Sequence, residues 1–357
     1  MGTKMNKLTA AIFMASFLAA CDESQPFFKD DDTTTTSTND ATGGDNPDDG
    51  TDSEDPLNTG TVRPPINGNQ LDRGDILRVE AGGLLASVEY VASNDTLIVD
   101  GLGFDGANTY SRGSPIAQLN SHQVYEADVV AFDELTGDAI EQVVPYRAIY
   151  GVSNNSLATG EPRTSFTIVR TGWYADYGYG GFMYERNGST VIPTTGQAQF
   201  KGDYAGLRVF DIISGLELTK GNVTIAVDLR DFNTNDAIKG TISNRFAYTP
   251  NGSALILGTY NDEGLLILPD IHFAIEGGSG GDIAISGEFA GQLGNSASNS
   301  KGEISEYEKG NYYAVMSGDT TDVADGGEIV GIFVIESEDP RYTNVVAQET
   351  GGFIAYR

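Results

Sequence analysis

The sequence predicts an all-β protein, a sandwich or barrel with glycine at its turns. Three observations predict it. Short runs rich in β-branched and aromatic residues recur along the chain, each bounded by Gly, Asn, Asp or Ser. Several alternate apolar and polar residues with period two, as Asn222-Val223-Thr224-Ile225-Ala226-Val227-Asp228 does. Helical periodicity is scarce, and its best instance is the weak stretch from Ala117 to Val124.

In chain order, the first twenty residues read as an export signal. Lys4 and Lys7 give the positive start, and Leu8 to Ala20 form an apolar run too short to span a bilayer. The run ends in Leu18-Ala19-Ala20-Cys21, which resembles the bacterial lipobox, and Cys21 is the only cysteine in the chain. That resemblance implies acylation of Cys21 and a mature protein tethered to the bilayer, since each buried methylene adds about 0.8 kcal/mol. Residues 21–71 read as this anchor and an acidic linker. Runs such as Asp30-Asp31-Asp32-Thr33-Thr34-Thr35-Thr36 offer almost nothing apolar to offset ordering entropy. Asp22 follows the lipid cysteine directly, a feature that in enteric bacteria argues for the inner membrane and against surface display.

From 72 onward the runs read as strands: 76–80, 96–99, 127–132, 143–150 and 165–169, then 222–228, 265–275, 282–285, 312–316, 329–335 and 352–356. A composition change at Pro193-Thr194-Thr195 divides a strand-rich domain at 72–192 from a second at 194–357. The second contains an echo, Gly202-Asp203-Tyr204-Ala205-Gly206 and Gly287-Glu288-Phe289-Ala290-Gly291. Glycines in strands mark the tight bends that closed barrels need, so a barrel whose two halves share one bend is expected.

Charge and composition exclude whole classes of function. With 51 acidic residues against 21 Lys+Arg, the formal charge of −30 repels phosphate backbones, so no nucleic-acid partner is expected. One cysteine excludes a disulfide within the chain and a thiolate metal cluster. Two histidines, His122 and His272, leave little for zinc or relay chemistry, and both take structural readings, His272 facing outward. No metal or cofactor is expected.

The motifs that look like chemistry lose their context on inspection. Gly101-Leu102-Gly103-Phe104-Asp105-Gly106 follows a strand but is followed by a poor helix former, Ala107 to Pro115, so it reads as a loop. Gly277-Gly278-Ser279-Gly280-Gly281 precedes a strand where a nucleophile elbow needs a helix, and no histidine follows Ser279. Asp231 to Asp236 spaces oxygen ligands like a calcium loop, but Asp236 stands at the glycine position and Ile242 at the bidentate glutamate position. An Asx-rich turn and a loose calcium-stabilised loop both remain readings of that segment. No nucleophile–base pair or phosphate loop remains, and an enzyme is not expected.

The densest aromatic feature runs from Trp173 to Tyr184. Trp173, Tyr177 and Tyr179 share one face of an extended strand, and a bulge at Gly180-Gly181 would switch the parity to Phe182 and Tyr184. Rings flanked by glycine suit partner contact; the competing reading is a core strand.

Residues 196–357 resemble the C-terminal barrel domain of transferrin-binding protein B-like surface lipoproteins. The resemblance rests on the Gly-x-aromatic-x-Gly bends, Gly240-Thr241-Ile242, the glycine-rich turn from Glu276 to Gly281, and the closing strand Gly352-Phe353-Ile354-Ala355-Tyr356-Arg357. It implies an eight-stranded antiparallel barrel preceded by a handle-like domain, here 72–192. It implies an outer-membrane lipoprotein, at the surface rather than the periplasmic face, that binds a protein or an iron carrier, with a membrane transporter as a further partner. It does not imply transferrin: the family's transferrin binders carry two such lobes, and this chain has length for one. The competing reading is a structural envelope lipoprotein with no exchangeable ligand.

Overall fold

A computed structural model of the chain describes residues 71–76, 85, 87–102, 106–128, 130–132, 136–141, 144–172, 177–192, 195–228, 238–255, 267–274, 287–298, 304–339 and 341–357. The described residues all fall within one compact unit. Its strands, in order, are β1 (Leu71–Ile76), β2 (Ser87–Val91), β3 (Thr96–Leu102), β4 (Gly106–Arg112), β5 (Gln118–Leu119), β6 (His122–Glu126), β7 (Val130–Phe132), β8 (Ala139–Glu141), β9 (Arg147–Val152), β10 (Thr164–Arg170) and β11 (Gly180–Arg186). There follow β12 (Thr190–Val191), β13 (Gln197–Phe210), β14 (Leu216–Asp228), β15 (Ile238–Tyr248), β16 (Ile267–Leu268), β17 (Ile271–Ala274), β18 (Glu288–Ser298), β19 (Ile304–Asp319), β20 (Glu328–Glu338) and β21 (Val346–Tyr356).

The protein is all-β. Strands β13, β14, β15, β17, β18, β19, β20 and β21 form a closed antiparallel barrel of eight, with β19 pairing β20 to complete the ring. The earlier strands form an open curled sheet in the order β1-β11-β10-β9-β6-β4-β3-β2, with β5 on β6. Closure removes the unpaired edges that the curled sheet keeps at β1 and β2.

The curled sheet lies against the outside of the barrel, and β10 is buried along its whole length. On one of its faces Phe166 packs over Gly352, where a Cβ would stand 2.4 Å from the ring; only glycine admits that approach. Phe182 stacks on Tyr313 of the barrel, with centroids 6.1 Å apart. On the other face Val169 joins Leu97, Val99, Tyr110, Tyr125, Tyr146 and Ala148 in a separate core inside the curl.

Polar bonds stitch the seam. Thr164 and Ser153 donate to the buried Glu328 at 2.6 and 2.7 Å, Asn155 donates to the same carboxylate at 2.7 Å, and Arg186 donates to the Met316 carbonyl at 2.8 Å. His122 is buried there too: its ring meets Phe166 edge-on at 4.9 Å, and Nε2–H donates to the Asp203 carbonyl at 3.0 Å.

Four expectations change. The weakly helical stretch from Ala117 to Val124 is the β5–β6 hairpin, because paired strands satisfy its backbone without a helix. The strand expected at 265–275 breaks at Pro269-Asp270 into β16 and β17, since proline has no N–H for the ladder. The two glycine echoes serve different ends. Gly202 sits inside β13 against the Ile354 carbonyl, whereas Gly287, at φ +74°, precedes β18 as a turn. What they share is the aromatic, for Tyr204 and Phe289 both fill the lumen. Finally, β10 and β11 pair without a register shift, so there is no bulge at Gly180-Gly181. Tyr177 and Gly178, at φ +68° and +65°, make the turn before the strand.

Candidate partner-contact site

Register divides the folded part into two poles. Leu71, where β1 begins, pairs with Arg186, which pairs with Thr164. Thr164 bonds Glu328 at the start of β20, so these residues share one end, the basal pole. At the other end of β10, Arg170 pairs with Gly180 and Arg147, and Arg147 pairs with Glu126. Gly215 N–H donates to the Gly172 carbonyl at 2.8 Å and Tyr177 N–H to the Phe210 carbonyl at 3.0 Å, bringing the β13–β14 turn to this end. Asp211 and Val346 exchange bonds of 3.1 and 2.9 Å, which brings the 339–345 loop there as well. This is the loop pole.

Exposed apolar side chains gather at the loop pole. Phe132 is 62% exposed, Ile212 61%, Tyr342 48% and Val130 42%. These are four of the seven large hydrophobic side chains that stand exposed among the described residues. Val191 and Val323 belong to the basal pole, where β12 pairs with Gly318 and Asp319 at the end of β19, and Tyr90 lies on β2. Beneath the exposed rim, Phe210 packs with Val345 and Ala347, Tyr342 meets its ring edge-on, and the Arg208 and Arg341 guanidiniums lie over it.

The barrel lumen below the rim is charged. Arg245 donates to Glu308 at 2.6 and 3.0 Å and to Glu349 at 3.0 Å. One guanidinium cannot neutralise two carboxylates, and burial pushes the Glu349 carboxyl up to about 8, so this carboxyl keeps its proton at neutral pH. Asn244, at φ +52°, marks the register shift between β14 and β15 beside which Arg245 lies. A second group is balanced: Arg208 and Arg341 face Glu217 and Asp339 at 2.6–3.4 Å.

The aromatic segment distributes across these structures. Trp173 lies outside the described residues, as do Cys21, the Gly277–Gly281 turn and the Asp231–Asp236 loop. Tyr177 sits half-buried at the loop pole and its hydroxyl bonds Glu336. Burial pushes that hydroxyl far up, and the Glu336 charge adds to it. Tyr179 packs with Met183 on the core inside the curl. Phe182 and Tyr184 are buried, and Phe182 faces the barrel, so these two rings pack within the chain. Phe182 and Tyr184 thus share one face of β11, while Met183 on the other face and Tyr179 just before the strand pack into the curl. Gly101 to Gly106 spans the β3–β4 hairpin, as a loop reading requires, with 103–105 outside the described residues.

Sequence reasoning missed Phe132, Ile212 and Tyr342 as rim residues. Ile212-Ile213 carried a readable signal, two isoleucines between an aspartate and Ser214-Gly215 in a hairpin turn. Phe132 read as an ordinary strand residue, and its hairpin pairs with neither large sheet, which no local pattern announces.

Comparison with known proteins places three solved structures beside this fold. No protein-family model matches the chain, and no curated protein does. The chain is similar to a transferrin-binding protein B mutant from Haemophilus parasuis, at 11% identity and a TM-score of 0.31 over 74% of this chain and 50% of that one. It is similar to the intact transferrin-binding protein B called Ap-TbpB, with its N and C lobes, at 10% identity and 0.31 over 77% and 54%. A crystal structure of a surface lipoprotein is similar at 11% identity and 0.25 over 57% and 80%. The chain spans about half the length of the first two.

Proposed function

We propose that this chain is an exported lipoprotein of the bacterial outer membrane, acylated at Cys21, whose folded part holds a protein or an iron carrier without catalysis. The observation that carries the reading is the asymmetry of the poles. The chain enters the folded part at the basal pole, and most of the exposed apolar side chains stand at the other. Exposed apolar groups gathered on one face mark interaction sites more often than scattered ones do. A lipid anchor at Cys21 followed by an acidic linker would leave that face free to meet a partner, and a membrane transporter is one candidate for it.

Protease shaving of producing cells tests the placement, with permeabilised cells as the control. Surface display predicts release of an antibody-reactive fragment from intact cells. Protection until permeabilisation would remove the surface reading. Saturable retention of a soluble protein by the purified full chain, lost on Ile212→Ser with Tyr342→Ser, tests binding. No saturable retention would leave a structural envelope role.

A further inference from the structure

The β7–β8 hairpin stands apart from the rest of the loop pole. Among the described residues its strands pair only with each other, Val130 with Glu141 and Phe132 with Ala139. It leaves the curled sheet after Glu126 and returns at Arg147, at the loop pole. A two-stranded ribbon is marginal in water without a surface to pack on. Here two of its large apolar side chains face outward. Val130 and Phe132, two residues apart and so on one face, are 42% and 62% exposed.

The charges around them have one sign. From 127 to 146 the sequence holds Asp128, Asp133, Glu134, Asp138 and Glu141, and no Lys, Arg or His. Asp128, Asp138 and Glu141 are exposed, and no ion pair among the described residues involves them. The contrast with the rest of the pole is direct: Glu126, Glu217, Glu308, Asp339 and Glu349 each face an arginine of the chain itself. The hairpin thus sets two exposed apolar side chains beside carboxylates that, among the described residues, no cation of the chain pairs with.

We propose that the β7–β8 hairpin docks onto a protein partner with a cationic face. Val130 and Phe132 enter an apolar site on that partner, and Lys or Arg around the site meet Asp128, Asp138 and Glu141. Anionic lipid headgroups would be repelled by the same carboxylates, so a protein fits where a membrane surface does not. The proposal rests on the binding reading above and names the partner's chemistry and the element that meets it.

The test places a photo-cross-linking residue, p-benzoylphenylalanine, at Phe132, at Tyr342 or at basal Val323 in the full-length chain, in producing cells. One protein should cross-link from 132 and not from 323. That captured protein, purified, is then the probe. Its affinity for the full chain should fall about tenfold or more with Phe132→Ser. It should fall by a similar factor with Asp128→Asn, Asp138→Asn and Glu141→Gln together, and weaken with added salt. Circular dichroism and the thermal midpoint of both variants should match the parent.

Cross-linking to lipid, or capture from 132 of a protein whose affinity ignores either variant, overturns the proposal. Capture from 342 but not from 132 overturns it and leaves the binding reading standing. No capture from any position, together with no saturable retention, overturns both.

Discussion

The two ends of the barrel lumen solve the same packing problem with opposite chemistry. Toward the basal pole the lumen is apolar, filled by Phe200, Val223, Ile225, Phe273, Phe289, Phe353 and Ala355. Toward the loop pole the inward positions carry Arg245, Glu308 and Glu349, then Arg208, Glu217 and Asp339. At the first end burial itself supplies the stability, roughly 25 cal/mol per Å² of apolar surface removed from water. At the second, burial costs free energy that ion pairs and hydrogen bonds must offset. Damage should therefore scale with lost volume at one end and with uncompensated charge at the other.

Arg245→Ala tests that difference most severely. Among the described residues it strips Glu308 and Glu349, both buried, of the one guanidinium that pairs with them, and the expected loss is about 3–5 kcal/mol by urea unfolding. Arg245→Met combined with Glu308→Gln and Glu349→Gln should recover most of it, since the charge is gone while the volume stays filled. Equal losses in the two variants would show that volume governs both ends and would break the comparison.

Proton binding sharpens it next. Burial raises the Glu349 carboxyl to about 8, while an unfolded glutamate titrates near 4.3. Between those values the folded chain holds a proton that the unfolded chain has lost. Stability from this group is full below about pH 4.3 and falls as pH rises toward 8, at no more than about 1.4 kcal/mol per unit. Burial raises Glu217, Glu328 and Glu336 as well, with the same sign. Glu349→Gln should flatten the slope above neutrality without abolishing it.

His122 acts oppositely, because burial lowers its pKa and keeps the folded imidazole neutral. Its contribution is present above about pH 6.5 and lost as pH falls and the unfolded ring takes up a proton. Denaturant midpoints from pH 5 to 9 for the parent, Glu349→Gln and His122→Gln would separate the two limbs. At the apolar end, Ile225→Val should cost about 1 kcal/mol at every pH.

The apolar end was more legible in the sequence than the charged one. Ile225 sits in an alternating run, and Tyr204 and Phe289 sit in a repeated glycine-flanked pattern; period and bend chemistry are local signals. Arg245, Glu308 and Glu349 are separated by 63 and 41 positions and meet only because the barrel closes. The curled sheet shows the same limit. Its strands read from β-branched runs, but the seam where His122, Phe166 and Glu328 meet the partner sheet depends on which faces pack, which period two does not tell. The aromatic run from Trp173 to Tyr184 misled in its geometry because a turn at Tyr177-Gly178 resembles a bulge when only spacing is visible. The rim itself was hidden for a related reason. An exposed Phe and a buried Phe in a short β-branched run look alike until the strand's neighbours are known.

The smallest effect on stability should come from the rim, and that smallness is the informative part. Ile212 and Tyr342 are about half exposed or more and lie in a turn and a loop outside both lumen ends. Replacing both by Ser removes little buried surface, so the change in unfolding free energy should stay within about 0.5 kcal/mol. Phe210 and Arg341 lose the Tyr342 ring but, like Arg208, keep their contacts with each other and with Glu217 and Asp339, so the charged end of the lumen should titrate as before. If the double variant instead unfolds as readily as Arg245→Ala, the rim is a lid that holds the charged lumen together, and its apolar groups serve the fold. If stability is unchanged while retention of a soluble protein is lost, the two lumen ends are scaffold and the rim above the charged end is the surface that meets a partner.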